Sequence, residues 1–96
     1  MIITLCGSTK FKQRFMEIRK ELESQGFIVE SPPVYSKADG KKLEVKDVHR
    51  LQCLCYEKIS YSDIVYIVNC GGYIGKHTQK EIEYAKNLGV GIIYDE

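Results

Sequence analysis

Four short apolar runs alternate with three longer segments of helical periodicity, and this alternation constrains the fold more than any other feature of the chain. The predicted strands are Ile2–Cys6, Phe27–Val29, Ile64–Val68 and Val90–Tyr94. With right-handed crossovers, the order βαβαβαβ predicts a four-stranded parallel sheet in strand order 2-1-3-4 with helices on both faces. This is a three-layer α/β fold of the flavodoxin or Rossmann type. No repeat or linker divides the chain, so residues 1–96 are predicted to form a single domain.

Each predicted helix carries an apolar stripe at helical spacing. The first helix can be capped by Ser8 or Thr9 and ends near Gly26. The second is predicted from Glu44 to Ser60 and the third from Thr78 to Leu88. The residues predicted to be buried are Phe11, Phe15, Ile18 and Leu22 in the first helix, Val48, Leu51, Cys55 and Ile59 in the second, and Ile82, Ala85 and Leu88 in the third.

Charge and hydropathy exclude two classes of partner. Lys plus Arg number 14 against 13 Asp plus Glu, and no basic stripe is interleaved with aromatic residues, so nucleic acid is not expected as the main partner. The longest apolar stretch, Ile64–Val68, is too short to span a bilayer, and no secretion signal opens the chain. A soluble, cytoplasmic protein without a membrane partner is therefore expected.

The cysteines do not form a recognisable metal or redox motif. No Cys-x-x-Cys pair occurs among the four cysteines, and Cys53 and Cys55 have no second ligand pair at zinc-finger spacing. His49 and His77 are isolated. We therefore expect no metal and no cofactor, with the thiols packed as small hydrophobes. Cys70 is an exception because it lies in a glycine-rich loop, which leaves a thiol-based redox function as a third and weaker hypothesis.

Glu81 is a carboxylate at a position where the third helix is expected to be apolar. At 100° per residue, Glu81 points between Ala85 and Leu88, whereas the other charges of the segment fall on the opposite side. Gly71, Gly72 and Gly75 precede the helix and would leave backbone N–H groups free near the carboxylate. Glu81 is either a surface glutamate that extends to water or part of a functional site.

Two loops are predicted to meet at the switch point between the first and third strands, where ligands bind in folds of this type. One loop follows strand one, and the other follows strand three and leads to Glu81. A long loop predicted from Val34 to Lys42 is also of the kind that lines binding sites. The candidate ligand-binding residues are Gly7, Ser8, Thr9, Lys10 and Phe11 in the first loop and Asn69, Gly72, Gly75 and Thr78 in or after the second.

The two loops do not match the common nucleotide-binding motifs. Gly75-Lys76 suggests a P-loop, but Cys70 stands where a P-loop requires glycine, and His77 where it requires serine or threonine. No G-x-G-x-x-G fingerprint is present either. Neither an NTPase nor a nicotinamide-dependent enzyme is therefore predicted.

Gly7-Ser8 after the first strand, together with Thr78-x-x-Glu81-Ile82-x-Tyr84-Ala85, resembles the nucleoside 2-deoxyribosyltransferase superfamily, which includes deoxynucleoside 5′-monophosphate N-glycosidases. The resemblance implies that Glu81 attacks the anomeric carbon of the sugar and forms a glycosyl-enzyme ester. It implies a small nucleoside or nucleotide ligand and no cofactor. The start of the helix is expected to help keep Glu81 ionised. The hydroxyl-rich first loop favours a phosphorylated ligand, with Phe11 available to stack on the base.

Three positions differ from the family pattern. Thr4 stands where transferases usually carry tyrosine, Asn69 where they carry aspartate, and Gly75 where an acidic residue is common. Two hypotheses follow. The first is an enzyme that cleaves or transfers the N-glycosidic bond of a deoxynucleoside or its 5′-monophosphate. The second, which Asn69 and Gly75 favour, is a non-catalytic module that binds a nucleotide or nucleotide-sugar.

Self-association into a homodimer or a larger species is expected, because a core built from only 96 residues gains stability from additional buried area. Sedimentation at micromolar concentration should show a species of at least twice the 11.0 kDa chain mass. A monomer under these conditions would refute the prediction.

Overall fold

The central sheet has four parallel strands in the order β2-β1-β3-β4, which confirms the fold class predicted from the sequence. The computed structural model describes residues 1–96. The strands are β1 (Ile2–Gly7), β2 (Ile28–Glu30), β3 (Ile64–Val68) and β4 (Gly91–Tyr94). The helices are α1 (Lys12–Ser24), α2 (Val45–Ser60) and α3 (Lys76–Leu88). None of these helices combines the length and apolarity needed to traverse a lipid bilayer.

Alternation along β1 and β3 divides the core into two layers. Ile3 and Leu5 of β1 pack with Phe15 and Ile18 of α1 on one face of the sheet. The next residue along the strand, Cys6, belongs to the opposite face. There it packs with a cluster from β3, α2 and α3 that consists of Val65, Ile67, Ile59, Ile82 and Ala85. Helices therefore cover both faces, as the βαβ order requires.

The end of β1 approaches β3 too closely for any side chain. Gly7 pairs with Val68, and a Cβ atom at Gly7 would lie 2.5 Å from the Val68 carbonyl oxygen. Only glycine fits this contact. The residues after Gly7 therefore emerge at the carboxyl edge of the sheet, directly beside the loop that follows β3.

The start of the first helix differs from the prediction. Thr9–Phe11 form a 3₁₀ turn, and the Ser8 hydroxyl accepts a hydrogen bond from the Lys10 N–H at 3.4 Å. The α-helix begins only at Lys12. Ser8 is thus a cap, but it caps the short turn and not the α-helix itself.

All three predicted apolar stripes are only partly buried, and in the first of them Phe11 and Leu22 are half-buried. Leu88 was predicted to be buried but is 49% exposed. It lies on the same side of α3 as Glu81 but two turns further along, at the end of the helix, where no other element covers it. In α2, Ile59 is buried, whereas Val48, Leu51 and Cys55 are half-buried. These three residues line a cavity and are not enclosed in the core.

Asp95, just after β4, connects the end of the chain to α1. Arg14 donates two hydrogen bonds to its carboxylate at 2.9 and 2.8 Å, and the Tyr66 hydroxyl donates a third at 2.9 Å. The Asp95 side chain is only 4% exposed. The bonds from the Arg14 guanidinium lower the pKa of Asp95 below its usual value. This contact therefore stabilises the fold when the carboxyl group is ionised.

We predict that Asp95→Asn lowers the free energy of unfolding by about 1–3 kcal/mol at neutral pH, because the Arg14 bonds lose their charge. The loss should shrink as the pH falls below the ordinary aspartate range, where the native carboxylate itself becomes protonated. Urea denaturation across pH measures both effects. Glu17→Gln is the matched control, since Glu17 contacts the same guanidinium from an exposed position. An equal effect of both substitutions would contradict the prediction.

Candidate functional site

A cavity of about 550 Å³ opens at the carboxyl edge of the sheet, within the size range of small-molecule sites. Its walls come from the loop after β1, the β2–α2 loop, α2 and the first turns of α3. Six of the residues predicted from the sequence line it, namely Gly7, Ser8, Thr9, Gly75, Thr78 and Glu81. The switch point between β1 and β3 therefore does hold a cavity, as the strand order predicts.

Glu81 is the only carboxylate among the residues that line this cavity. Its side chain lies inside the protein, because the residue is 7% exposed. Gln52 of α2 donates a hydrogen bond from Nε2 to Glu81 Oε2 at 3.3 Å. The structure thus excludes the surface-glutamate interpretation and leaves a buried acid that faces a cavity.

The ionisation of Glu81 differs from the expectation. Burial removes water from the carboxylate and raises the pKa of Glu81, although Cys55, Gln52 and Cys6 partly offset the rise by hydrogen bonding. The helix begins at Lys76, so Glu81 lies more than one turn from its start, and no N–H group of the first turn donates to it. Because the influence of a helix terminus falls off within one turn, desolvation dominates here.

Two cysteines border Glu81, a feature that was not predicted. The Sγ atoms of Cys6 and Cys55 are 3.8 Å apart, and one carboxylate oxygen of Glu81 lies within 4.8 Å of both. The hydrogen bond with Cys55, together with burial, raises the pKa of the Cys6 thiol well above its usual value. Both cysteines line the cavity, and Cys6 also packs in the core as the small hydrophobe that the sequence predicts.

The sequence carried a signal for this arrangement. Cys6 is on the β1 face opposite Leu5, and Gln52 and Cys55 are three residues apart on one side of α2. Cys70, the thiol singled out from the sequence, lies outside the cavity. Burial and the nearby Glu96 and Asp95 carboxylates raise its pKa, which disfavours a reactive thiolate.

Four predicted ligand-binding residues do not line the cavity: Lys10, Phe11, Asn69 and Gly72. The Asn69 side-chain amide is paired with the backbone of Glu96, with distances of 3.2 and 2.8 Å. The Lys10 ammonium lies 3.5 Å from the centre of the Tyr73 ring, and the Phe11 ring meets the same ring edge-on at 6.0 Å. Of these aromatic residues, Tyr73 is the one that reaches the cavity.

The long loop between β2 and α2 forms one side of the cavity, as its length and position predict. The lining residues from this loop are Ser31, Pro32, Pro33, Val34, Ser36, Lys37 and Leu43. The Lys37 backbone N–H donates to the Thr9 hydroxyl at 3.2 Å, which connects this loop to the loop after β1. Lys37, Lys58 and Lys76 supply positive charge around the single carboxylate, which suits an anionic ligand.

The fold is shared with an enzyme of known structure. The chain is similar to the CMP N-glycosidase BcmB of Clostridium botulinum, with a TM-score of 0.67 and 20% sequence identity over 98% of this chain and 70% of that chain. The predicted resemblance to the nucleoside 2-deoxyribosyltransferase superfamily is thus confirmed at the level of the fold. Residues 4–94 match the family described as "Domain of unknown function (DUF4406)", and the chain belongs to this family. A comparison with curated proteins gives no match.

We predict that Glu81→Gln raises the free energy of unfolding at neutral pH, because the amide keeps the shape of the side chain without a buried charge. The pKa of Glu81 is higher in the folded protein than in the unfolded chain. The free energy of unfolding of the native protein therefore falls as the pH rises from the unfolded-state pKa to the folded-state pKa. The gain should therefore shrink as the pH is lowered to the ordinary glutamate value near 4.5, where both states hold the proton. Denaturant titrations at several pH values measure this dependence.

Glu83→Gln is the control for this prediction, because Glu83 lies in the same helix but is exposed. It should change stability by no more than about 0.5 kcal/mol at any of these pH values. A Glu81→Gln protein that is less stable than the native protein at neutral pH would contradict the prediction. It would show that the carboxylate is well solvated or firmly paired.

Proposed function

We propose that this protein cleaves the N-glycosidic bond of a nucleoside 5′-monophosphate, with Glu81 as the nucleophile. The observation that carries the proposal is a buried glutamate, the single carboxylate of a cavity at the switch point of the sheet. The fold shared with a CMP N-glycosidase supports the same class of reaction. A carboxylate nucleophile suits an anomeric carbon, where positive charge develops in the transition state.

The proposed reaction has two steps. One oxygen of ionised Glu81 attacks C1′ of the sugar, and the C1′–N bond breaks with its electron pair leaving on the base, which takes a proton from water. Water then attacks C1′ of the glycosyl ester and gives its proton to the hydroxide left by the first step, so the carboxylate leaves and the products are free base and sugar 5-phosphate. A second base that attacks in place of water would give transfer.

The same burial that raises the pKa of Glu81 also favours its chemistry as a nucleophile. A desolvated carboxylate has no water shell to lose before attack, and the charge of the transition state is more dispersed than that of the free carboxylate. The activity requires the ionised form, so its acidic limb should lie above the ordinary glutamate pKa of 4.5.

The rest of the cavity provides groups for the remaining parts of a nucleotide. Ser8 and Thr9 present hydroxyl groups at the 3₁₀ turn after β1, which we propose as ligands of the phosphate, with charge from Lys37 and Lys76. Tyr73 offers the only phenol ring in the cavity wall for stacking with the base. These assignments favour a phosphorylated substrate over a free nucleoside.

A non-catalytic nucleotide-binding module is the second candidate. The observation that favours it is the absence of any further aspartate or glutamate among the lining residues, so no carboxylic acid is available to protonate the departing base. Such a module would bind a nucleotide at the same place and release no base.

Incubation with a panel of nucleoside and deoxynucleoside 5′-monophosphates, and with the matching nucleosides, tests the proposal. Free base should appear from at least one monophosphate, and faster than from its nucleoside. Glu81→Gln should reduce the rate at least about a thousandfold while nucleotide binding persists, because the attacking charge is lost but the shape is kept.

Glu83→Gln is the matched control and should retain the native rate, since this exposed glutamate faces away from the cavity. Calorimetric titration separates the two candidates. Nucleotide binding without release of base would favour the binding module, and an active Glu81→Gln protein would remove Glu81 from its proposed role.

A further inference from the structure

Cys6, Cys55 and Glu81 form a second chemical feature in the cavity that glycosidic cleavage does not use. The two Sγ atoms and one carboxylate oxygen lie within 4.8 Å of one another. They come from β1, α2 and α3, so the fold itself brings them together. All three residues line the cavity, which gives a small cation access from solvent.

The spacing of the sulfur atoms matches that of a tetrahedral zinc site. Two thiolates bound to Zn²⁺ at about 2.3 Å with tetrahedral angles have sulfur atoms about 3.8 Å apart. The Cys6 and Cys55 sulfur atoms are 3.8 Å apart. A disulfide bond would require about 2.05 Å, so the two sulfur atoms are not bonded to each other, and their separation fits two ligands of one cation.

The ligand types also favour zinc over harder cations. Two sulfur ligands select a thiophilic ion, whereas Mg²⁺ and Ca²⁺ require oxygen ligands. With Glu81 as the third ligand, the fourth position would face the cavity and take water. Gln52 already donates a hydrogen bond to Glu81 and would hold the carboxylate in the orientation that the metal requires.

We infer that Cys6, Cys55 and Glu81 bind one Zn²⁺ ion, and that the bound ion inhibits the enzyme reversibly by using the Glu81 carboxylate as a ligand. The binding site stands on geometry alone, whereas the inhibition rests on the proposed function. A carboxylate coordinated to zinc shares its lone pair with the metal and has less electron density for attack on C1′.

Titration of the reduced protein with Co²⁺ tests the site without any assay of activity. A thiolate-to-cobalt charge-transfer band should saturate at one equivalent and disappear when one equivalent of Zn²⁺ is added. Cys55→Ser should weaken Co²⁺ binding at least about tenfold and reduce the band, and Glu81→Gln should weaken binding while the band remains. Because Cys6 is buried in the core, Cys55→Ser is the decisive variant, with circular dichroism as the check of folding.

Cys53→Ser is the matched control. Cys53 is an exposed thiol of the same helix, 3.6 Å from His49 Nε2, and it lies outside the cavity. This variant should retain the band at native strength. Loss of the band in Cys53→Ser would place the metal at the surface His49–Cys53 pair and overturn the inference, as would a native protein that gives no band.

Inhibition is measured separately. Zn²⁺ should suppress release of base in the native protein and in Cys53→Ser, and excess EDTA should restore it. If no base is released from any substrate, the proposed function fails while the cobalt titration still decides the metal site. An active enzyme that binds Zn²⁺ at these residues without loss of rate would overturn the inhibitory role.

Discussion

The parallel pairing of β1 with β3 determines where the candidate site of this protein lies. The two strands are neighbours, but α1 packs on one face of the sheet while α2 and α3 pack on the other. The loops that follow β1 and β3 therefore run to opposite faces of the sheet, and a crevice lies between them at the carboxyl ends of the two strands. Gly7 permits the close approach of β1 to Val68 at this edge, and alternation along β1 then turns Cys6 toward Glu81.

Glu81 is costly for the fold because it has little compensation. A buried carboxylate is usually matched by a cation or by several donors. The single hydrogen bond from Gln52 and the two thiols partly offset the loss of water, and the net effect is still a raised pKa. Asp95 shows the opposite arrangement, since Arg14 and Tyr66 stabilise its charge and its pKa is lowered. The contrast is the one expected between a structural carboxylate and a catalytic one, which supports the role proposed for Glu81.

The sequence was sufficient to predict the sheet order, the number of strands and α-helices and the position of the cavity, because these depend on hydrophobic periodicity and on chain order. Ile64–Val68 was predicted with its observed bounds, and Glu81 was identified because a charge interrupts an apolar stripe. What could not be predicted depends on contacts between distant segments. The partners of Glu81 lie on β1 and α2, and Asn69 is held by Glu96, a pairing that no local pattern indicates.

The contact between Thr9 and Lys37 couples the cavity to its surrounding loop. The Thr9 hydroxyl accepts a hydrogen bond from the loop backbone, so its own proton remains available for an oxygen atom of a ligand. Hydrogen bonds in such a chain polarise one another, and a ligand that accepts from Thr9 strengthens the bond from Lys37. Under the proposed function, ligand binding in the cavity and the ordering of the β2–α2 loop are therefore coupled. The coupling is reciprocal. A change that orders the loop increases the affinity for the ligand, and the ligand stabilises the ordered loop by the same free energy.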